Sequence, residues 1–129
     1  MPPHPGEEGK KTLEGIDSDG DGIRDDIEIY IASEYHNNPE LHEALNRYAI
    51  SKLKILVMSE NEGFVLQEDQ QSQRAIGCVY HLLSTAEARS TLRKLRAVIH
   101  NTYERTSAAI VADRHLSGKA FKLPEERCP

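Results

Sequence analysis

Residues 17–35 read DSDGDGIRDDIEIYIASEY, in which an acidic, glycine-containing stretch leads directly into an amphipathic one. The apolar side chains of the second part recur every three or four residues: Ile23, Ile27, Tyr30, Ile31 and Tyr35. That spacing is the period of an α-helix, so it predicts a first helix of about ten residues. The following Asn37-Asn38-Pro39 ends this helix and begins another, because Asn38 is a favoured N-cap and Pro39 suits the first helical position.

The same helical spacing continues along the rest of the chain. A second helix is predicted from about Pro39 to Ser59 and a third from about Glu68 to Leu83. Capping boxes, in which a glutamate follows the cap residue by three positions, predict the starts of a fourth and a fifth helix. These pairs are Ser84 with Glu87 and Asn101 with Glu104, and the fifth helix is predicted to end near Ser117-Gly118. Since alternating β patterns are absent, the predicted fold is all-α, a compact bundle of about five helices.

Length and composition limit the class of protein. The chain has 129 residues, of which 38% are hydrophobic and 29% charged, which fits one small globular domain. The first 15 residues contain three prolines and three glycines, so residues 1–15 are expected to be extended and flexible, and 16–129 to form one helical domain. No apolar run approaches the roughly 18 residues of a membrane span, which excludes an integral membrane protein.

Charge is unevenly distributed. The formal net charge of −5 argues against a dedicated nucleic-acid binder. Residues 1–69 carry 16 acidic and 6 basic side chains, whereas residues 70–129 carry 5 acidic and 10 basic ones. The two halves attract each other when folded, or the acids hold a metal, or the basic half meets an acidic partner. The stretch Arg89–Arg96, which also contains Arg93 and Lys94, is the candidate surface for an anionic ligand.

The dodecamer Asp17–Glu28 has the composition of a calcium loop, since calcium takes six to eight oxygen ligands. The predicted ligands of one Ca²⁺ ion are the carboxylates at positions 1, 3, 5, 9 and 12 and the carbonyl at position 7: Asp17, Asp19, Asp21, Asp25, Glu28 and Ile23. Gly22 at position 6 permits the sharp turn. The remaining residues are predicted to point outward: Ser18, Gly20, Arg24 and Asp26, the last facing solvent.

The DxDxDGxxDxxE string resembles the EF-hand loop, and more closely the thrombospondin type 3 and related bacterial DxDxDG repeats, which match the aspartate at position 9 and the aliphatic residue at position 7. Two features depart from a true EF-hand. Arg24 occupies position 8, where a paired EF-hand places an aliphatic residue, and the preceding Gly9–Gly15 is too rich in glycine for a good incoming helix. Because no second acidic dodecamer occurs, we expect a single loop followed by a helix.

Two cysteines, Cys78 and Cys128, lie 50 residues apart and form no CxxC pair, so they do not fit zinc ligation. They are either two free thiols of a cytosolic protein or one disulfide of an exported protein. The position of Cys128 one residue from the end favours a disulfide that pins the tail. Since Met1–Gly6 has neither a basic start nor an apolar stretch, we expect a cytosolic protein or the mature form of an exported one.

The wider layout resembles a group of small exported bacterial proteins of uncharacterised function, which open with this loop, continue as helices and close with Leu-Ser-Gly and Cys-Pro, here Leu116–Gly118 and Cys128-Pro129. The resemblance implies a periplasmic or secreted, disulfide-permissive location and carries no activity across. No HExxH, GxSxG, P-loop or Rossmann pattern occurs, so an enzyme is not expected; a hydrolase without a recognisable motif is the alternative.

The function expected from these observations is a calcium-stabilised helical module that binds another protein in the bacterial envelope or outside the cell. A sensor usually exposes a methionine-rich groove from paired hands, whereas this chain has two methionines and one loop. A calcium-dependent switch is therefore the alternative, followed by a binder of anionic ligands through residues 89–96.

Overall fold

The computed structural model describes residues 4–118 and Cys128, and within them it contains helices and no strand. The elements are a 3₁₀ helix at Gly6–Lys10 followed by α1 (Asp25–Tyr35), α2 (Pro39–Val57), α3 (Glu62–Leu82), α4 (Thr85–Ile99) and α5 (Tyr103–Leu116). The all-α class and the five α-helices are confirmed. None of the helices in this part of the chain is long and apolar enough to cross a membrane.

Side-chain caps fix where the helices begin, since the first backbone N–H groups of a helix have no partner within it. Asn38 accepts a hydrogen bond from the Leu41 N–H at 3.1 Å and caps α2 as predicted. Ser84 caps α4: its hydroxyl accepts from the Glu87 N–H at 3.2 Å and donates to the Glu87 carboxylate at 2.8 Å. The predicted start of α4 is therefore confirmed.

Two predicted helix starts are wrong. Helix α3 begins at Glu62 and not at Glu68, because Asn61 caps it by accepting a hydrogen bond from the Phe64 N–H at 3.0 Å. Helix α5 is capped by Thr102, whose hydroxyl accepts from the Arg105 N–H at 3.1 Å. The side chain of Asn101, the predicted cap, instead accepts hydrogen bonds from Arg24 and Arg105.

The core lies mainly between α1, α2, α3 and α4, with α2 against each of the other three. Its largest fully buried side chains are Ile27, Ile31, Leu45, Tyr48, Val79, Leu95 and Ile99. A smaller cluster of Ile55, Val65 and Ala112 lies at the contact of α2 and α3 with α5, where Leu116 covers it. Each fully buried aliphatic side chain contributes about 1.5–3 kcal/mol relative to an exposed one, so these clusters supply most of the folding energy.

The segment before the loop is not extended as predicted over Gly6–Lys10, which forms the 3₁₀ helix. The backbone carbonyls of Gly9 and Thr12 accept hydrogen bonds from the guanidinium of Arg105, at 2.5 and 3.0 Å. Arg105 lies on α5 and is fully buried. The N-terminal segment is thereby tied to the last helix, because a buried guanidinium needs acceptors.

Cys78 of α3 and Cys128 form a disulfide, so the bridged alternative is correct. Cys78 is buried and Cys128 is exposed. The bridge joins Cys128 to the C-terminal part of α3. The rest of the predicted tail, residues 119–127 and Pro129, lies outside the described residues.

Removal of this bridge should destabilise the protein substantially. It spans 50 residues, and in the chain-entropy model the closure of such a loop contributes about 4 kcal/mol. The double variant Cys78→Ala/Cys128→Ala should therefore unfold at a lower guanidinium concentration than the oxidised protein. Wild-type protein in reductant is the matched control and should unfold together with the variant; equal midpoints for the variant and the oxidised protein would contradict the expectation.

Candidate metal centre

Three carboxylates of the acidic loop converge at the surface of the protein. One oxygen each from Asp17, Asp19 and Asp21 lies within 4.8 Å of the other two, and all three residues are exposed. Carboxylate oxygens at this separation are a suitable arrangement for a hard divalent cation. Without a cation, three negative charges at this distance repel one another.

The curl of the loop is fixed by hydrogen bonds from its own backbone. Asp17 accepts from the N–H groups of Gly20 at 3.1 Å and Gly22 at 2.9 Å, and Asp21 accepts from the Ile23 N–H at 2.9 Å. Gly20 and Gly22 have φ values of +68° and +87°, in the left-handed region that favours glycine. The predicted sharp turn at Gly22 is therefore present, and the left-handed backbone conformation of this glycine produces it.

Glu28 on the first turn of α1 approaches the triad from the side of the helix. Its carboxyl group is hydrogen-bonded to Asp21, and this bond, together with desolvation and the charges of Asp21 and Asp19, raises the pKa of Glu28 to about 8. Desolvation works against ionisation of Asp21, but hydrogen bonds from Glu28 and the Ile23 N–H outweigh it and lower the Asp21 pKa. The two carboxyl groups are therefore in contact, at the position where the sequence predicts a metal ligand.

Asp25, the predicted ligand at position 9, lies apart from the triad and is 1% exposed. Its carboxylate accepts hydrogen bonds from the backbone N–H of Ser18 at 2.9 Å and from the Ser18 hydroxyl at 2.5 Å. Ser18, which was predicted to point outward, thus directs its hydroxyl at Asp25. The pair connects the entry of the loop to its exit. Ile23 packs its side chain in the core, which positions the following backbone.

Arg24 is the largest departure from the prediction, which placed its side chain outside. It is 1% exposed and donates to the backbone carbonyls of Val98 at 2.8 Å and Ile99 at 3.1 Å. These carbonyls belong to the last turn of α4, where intrahelical donors are lacking and a cation is favoured. Asp26, predicted to face solvent, forms an ion pair with Arg24 at 2.5 Å and its side chain is only 11% exposed.

Arg105, the other buried arginine, belongs to the same hydrogen-bond network as Arg24. Asn101 accepts a hydrogen bond from Arg105 at 2.7 Å and one from Arg24 at 3.4 Å, and it donates to Asp26 at 3.3 Å. The loop, α4, α5 and the N-terminal segment therefore meet at one polar cluster. The sequence analysis did not predict that either arginine is buried. The one indication in the sequence was a cation at position 8 of the loop, where a paired EF-hand has an aliphatic residue.

The histidines form no metal cluster with the acids in the part of the chain that the structure describes. His100 at the end of α4 is half-buried, and desolvation together with the charges of Lys52, Arg96 and Arg24 lowers its pKa to about 4. It is therefore neutral at physiological pH and serves as part of the packing. The structure thus brings together Asp17, Asp19 and Asp21 of the predicted ligands, with Glu28 beside Asp21, and the Asp25 carboxylate accepts hydrogen bonds from Ser18 within the loop.

Comparison with known proteins returned no matching family model, no matching curated protein and no matching solved structure. The interpretation of the acidic loop as a metal centre therefore rests on its residues and their geometry.

Replacement of Arg24 by alanine should destabilise the protein by about 3 kcal/mol, because it removes the cation from the partly buried Asp26 and the donor from the α4 carbonyls. Arg47→Ala is the matched control, since Arg47 forms an exposed ion pair with Glu43 whose loss should cost less than about 1 kcal/mol. Denaturant unfolding of both variants measures the difference. Equal destabilisation would show that the buried network contributes no more than a surface pair.

Proposed function

We propose that the protein binds one calcium ion in the loop at residues 17–28 and that this ion is mainly structural. The observation that supports the proposal is the convergence of Asp17, Asp19 and Asp21 within 4.8 Å of one another. Glu28 lies beside Asp21 and Asp19, so a fourth carboxyl group borders the triad. Rotation of its side chain toward the triad would give a bidentate ligand, as position 12 does in related loops.

The donor set favours calcium over other divalent cations. All the converging groups are carboxylates, and none of the histidines or the bridged cysteines contributes, which disfavours zinc. Magnesium requires a compact octahedron and retains several waters, whereas a flexible loop with several carboxylates suits the larger coordination sphere of calcium. The exposure of the triad also leaves room for the waters that complete this sphere.

A structural role for the ion is supported by the buried contacts that the loop makes. The same loop that presents the triad at its surface also places Arg24 beneath α4 and Asp25 against Ser18. Neutralisation of the repelling carboxylates would hold the loop in the conformation that these buried contacts need. The ion would then act as a staple between the N-terminal segment and the helices.

The proposed partner of this module is another protein, and the supporting feature is an apolar groove beside the loop. The groove has a volume of about 340 Å³, and its apolar wall comes from α2, the residue after it and α3: Leu53, Val57, Met58 and Phe64. The rest of its lining comes from Lys54 and from the N-terminal segment and loop: Glu14, Gly15, Asp17, Gly22 and Arg24. Val57 and Met58 are 43% and 39% exposed. Exposed apolar side chains around a groove are typical of protein-binding surfaces. The disulfide is consistent with the envelope or the exterior of a bacterial cell.

A calcium-dependent switch is the second candidate, because this groove shares Asp17 and Gly22 with the loop. In a switch, removal of calcium would leave the protein folded and alter the walls of the groove. In a staple, removal of calcium lowers the free energy of unfolding without changing the shape of the folded protein.

The variant Glu28→Gln should bind calcium about tenfold more weakly than wild type, or worse, because it loses one charged ligand. The affinity of wild type should also rise between about pH 6 and pH 8. The pKa of Glu28 is raised to about 8 in the cation-free protein, so calcium must displace a proton below that pH, and the cost disappears above it. In Glu28→Gln this pH dependence should be largely lost. Isothermal titration calorimetry at several pH values measures both effects.

Glu34→Gln is the matched control, since Glu34 is an exposed glutamate on the same helix. It should bind calcium as tightly as wild type and with the same dependence on pH. Unchanged affinity in Glu28→Gln, or an equal loss in both variants, would contradict the assignment of Glu28 as a ligand.

A further inference from the structure

A second polar site lies away from the acidic loop, in a cleft between α2, α3 and α4. The cleft has a volume of about 340 Å³ and shares no lining residue with residues 17–28. Three arginines of α4 and two tyrosines provide its polar groups: Arg89, Arg93, Arg96, Tyr48 and Tyr80. We propose that this cleft binds an organic phosphate, that is, a phosphate monoester attached to an apolar or aromatic group.

The three arginines are available for a ligand. All are exposed, and none forms a hydrogen bond or an ion pair with a side chain among residues 4–118 and Cys128. Their positions on α4 differ by four and three residues, so they lie on one face of the helix and project toward the same cleft. Guanidinium groups bind phosphate through two parallel hydrogen bonds, and a dianionic phosphate has enough acceptor oxygens for several of them.

Tyr48 provides the second observation. It is 1% exposed, lies on α2 and lines the cleft, and its hydroxyl forms no hydrogen bond with the described residues. A phenolic hydroxyl at the wall of a cleft can donate a hydrogen bond to a ligand bound there. The cleft is the side from which such a ligand would arrive. A phosphate oxygen held by the arginines would accept the hydrogen bond from Tyr48.

The rest of the lining explains why an ester fits better than inorganic phosphate. Ile76 and Leu92 are apolar, and the ring of Tyr80 adds an aromatic surface. These groups would contact the part of the ligand that carries the phosphate. A volume of about 340 Å³ lies at the lower end of the range for small-molecule pockets, so the ligand is expected to be small.

Phenyl phosphate is the probe, titrated into the full chain by calorimetry in a phosphate-free buffer of low ionic strength. We expect binding that Arg93→Gln weakens about fivefold or more and that Arg89→Gln/Arg93→Gln abolishes. Tyr48→Phe, which removes only the hydroxyl, should weaken it about threefold or more. Lys94→Gln is the matched control: Lys94 is an exposed cation of the same helix outside the cleft, and its loss should change the affinity less than about twofold.

Vesicles of phosphatidylcholine with phosphatidic acid test whether the phosphate monoester belongs to a lipid. Binding to the vesicles but not to phenyl phosphate, lost in Arg89→Gln/Arg93→Gln and kept in Lys94→Gln, would assign a lipid headgroup to the same cleft. The proposal is overturned if the protein binds neither probe, or if Lys94→Gln weakens binding as much as Arg93→Gln does. An equal loss in Lys94→Gln would mean that the probe is attracted by the total positive charge of α4 and does not bind specifically in the cleft.

Discussion

The buried guanidinium of Arg24 is the contact on which the arrangement of loop and bundle depends. It lies in the acidic loop, pairs with Asp26 and donates to the carbonyls of Val98 and Ile99 at the end of α4. A buried charge is tolerated when all of its donors are occupied, and removal of its partners costs several kcal/mol. The loop therefore cannot move away from α4 without exposing or orphaning this group.

This constraint connects a surface feature with the core. The triad of Asp17, Asp19 and Asp21 faces solvent, whereas Arg24 and Asp25 of the same loop are almost completely buried. Repulsion within the triad would therefore strain contacts that the core requires. Under the proposed function, a cation relieves that repulsion, and its binding energy adds to the stability of the whole fold.

Arg105 fixes the N-terminal segment in the same way, through a buried guanidinium that donates to backbone carbonyls. Its guanidinium binds the carbonyls of Gly9 and Thr12 and the side chain of Asn101, which in turn contacts Asp26. A glycine-rich segment with few apolar side chains has little surface to bury, so polar contacts hold it against α5. The disulfide of Cys78 and Cys128 acts at the other end of the chain. The segment around Gly9–Thr12 and Cys128 are thus fixed to the bundle by contacts other than the hydrophobic core.

The sequence predicts the helices well where their signals are local. Apolar spacing locates α1 and α2, and Asn38 and Ser84 cap the helices that their side chains predict. The predicted start of α3 is too late because the polar Asn61 and the following Gly63 are typical of the end of a helix. In the structure Asn61 instead caps the start of α3. Thr102 replaces Asn101 as a cap because the side chain of Asn101 accepts hydrogen bonds from Arg105, four residues further on, and from Arg24 on the distant loop.

The site shows the same division between local and distant information. The spacing of Asp17, Asp19 and Asp21 is sufficient to predict their convergence, since the loop curls through its own backbone hydrogen bonds. The burial of Arg24 depends on α4, about 75 residues further along the chain, and position 8 of an isolated loop contains no such information. Asp25 was predicted from the repeat pattern, but a neighbouring serine supplies its hydrogen bonds.

Thermal unfolding of the unmodified protein, followed by circular dichroism in chelator and in millimolar calcium without reductant, tests the central claim most directly. At about 100 times its dissociation constant, calcium should stabilise the fold by about 2.7 kcal/mol, which raises the midpoint by several degrees. The spectra of the folded protein should coincide in the two conditions, as expected for a staple. Coincident melting curves would contradict the account, because they would mean that the loop binds no calcium or that its binding does not reach the bundle.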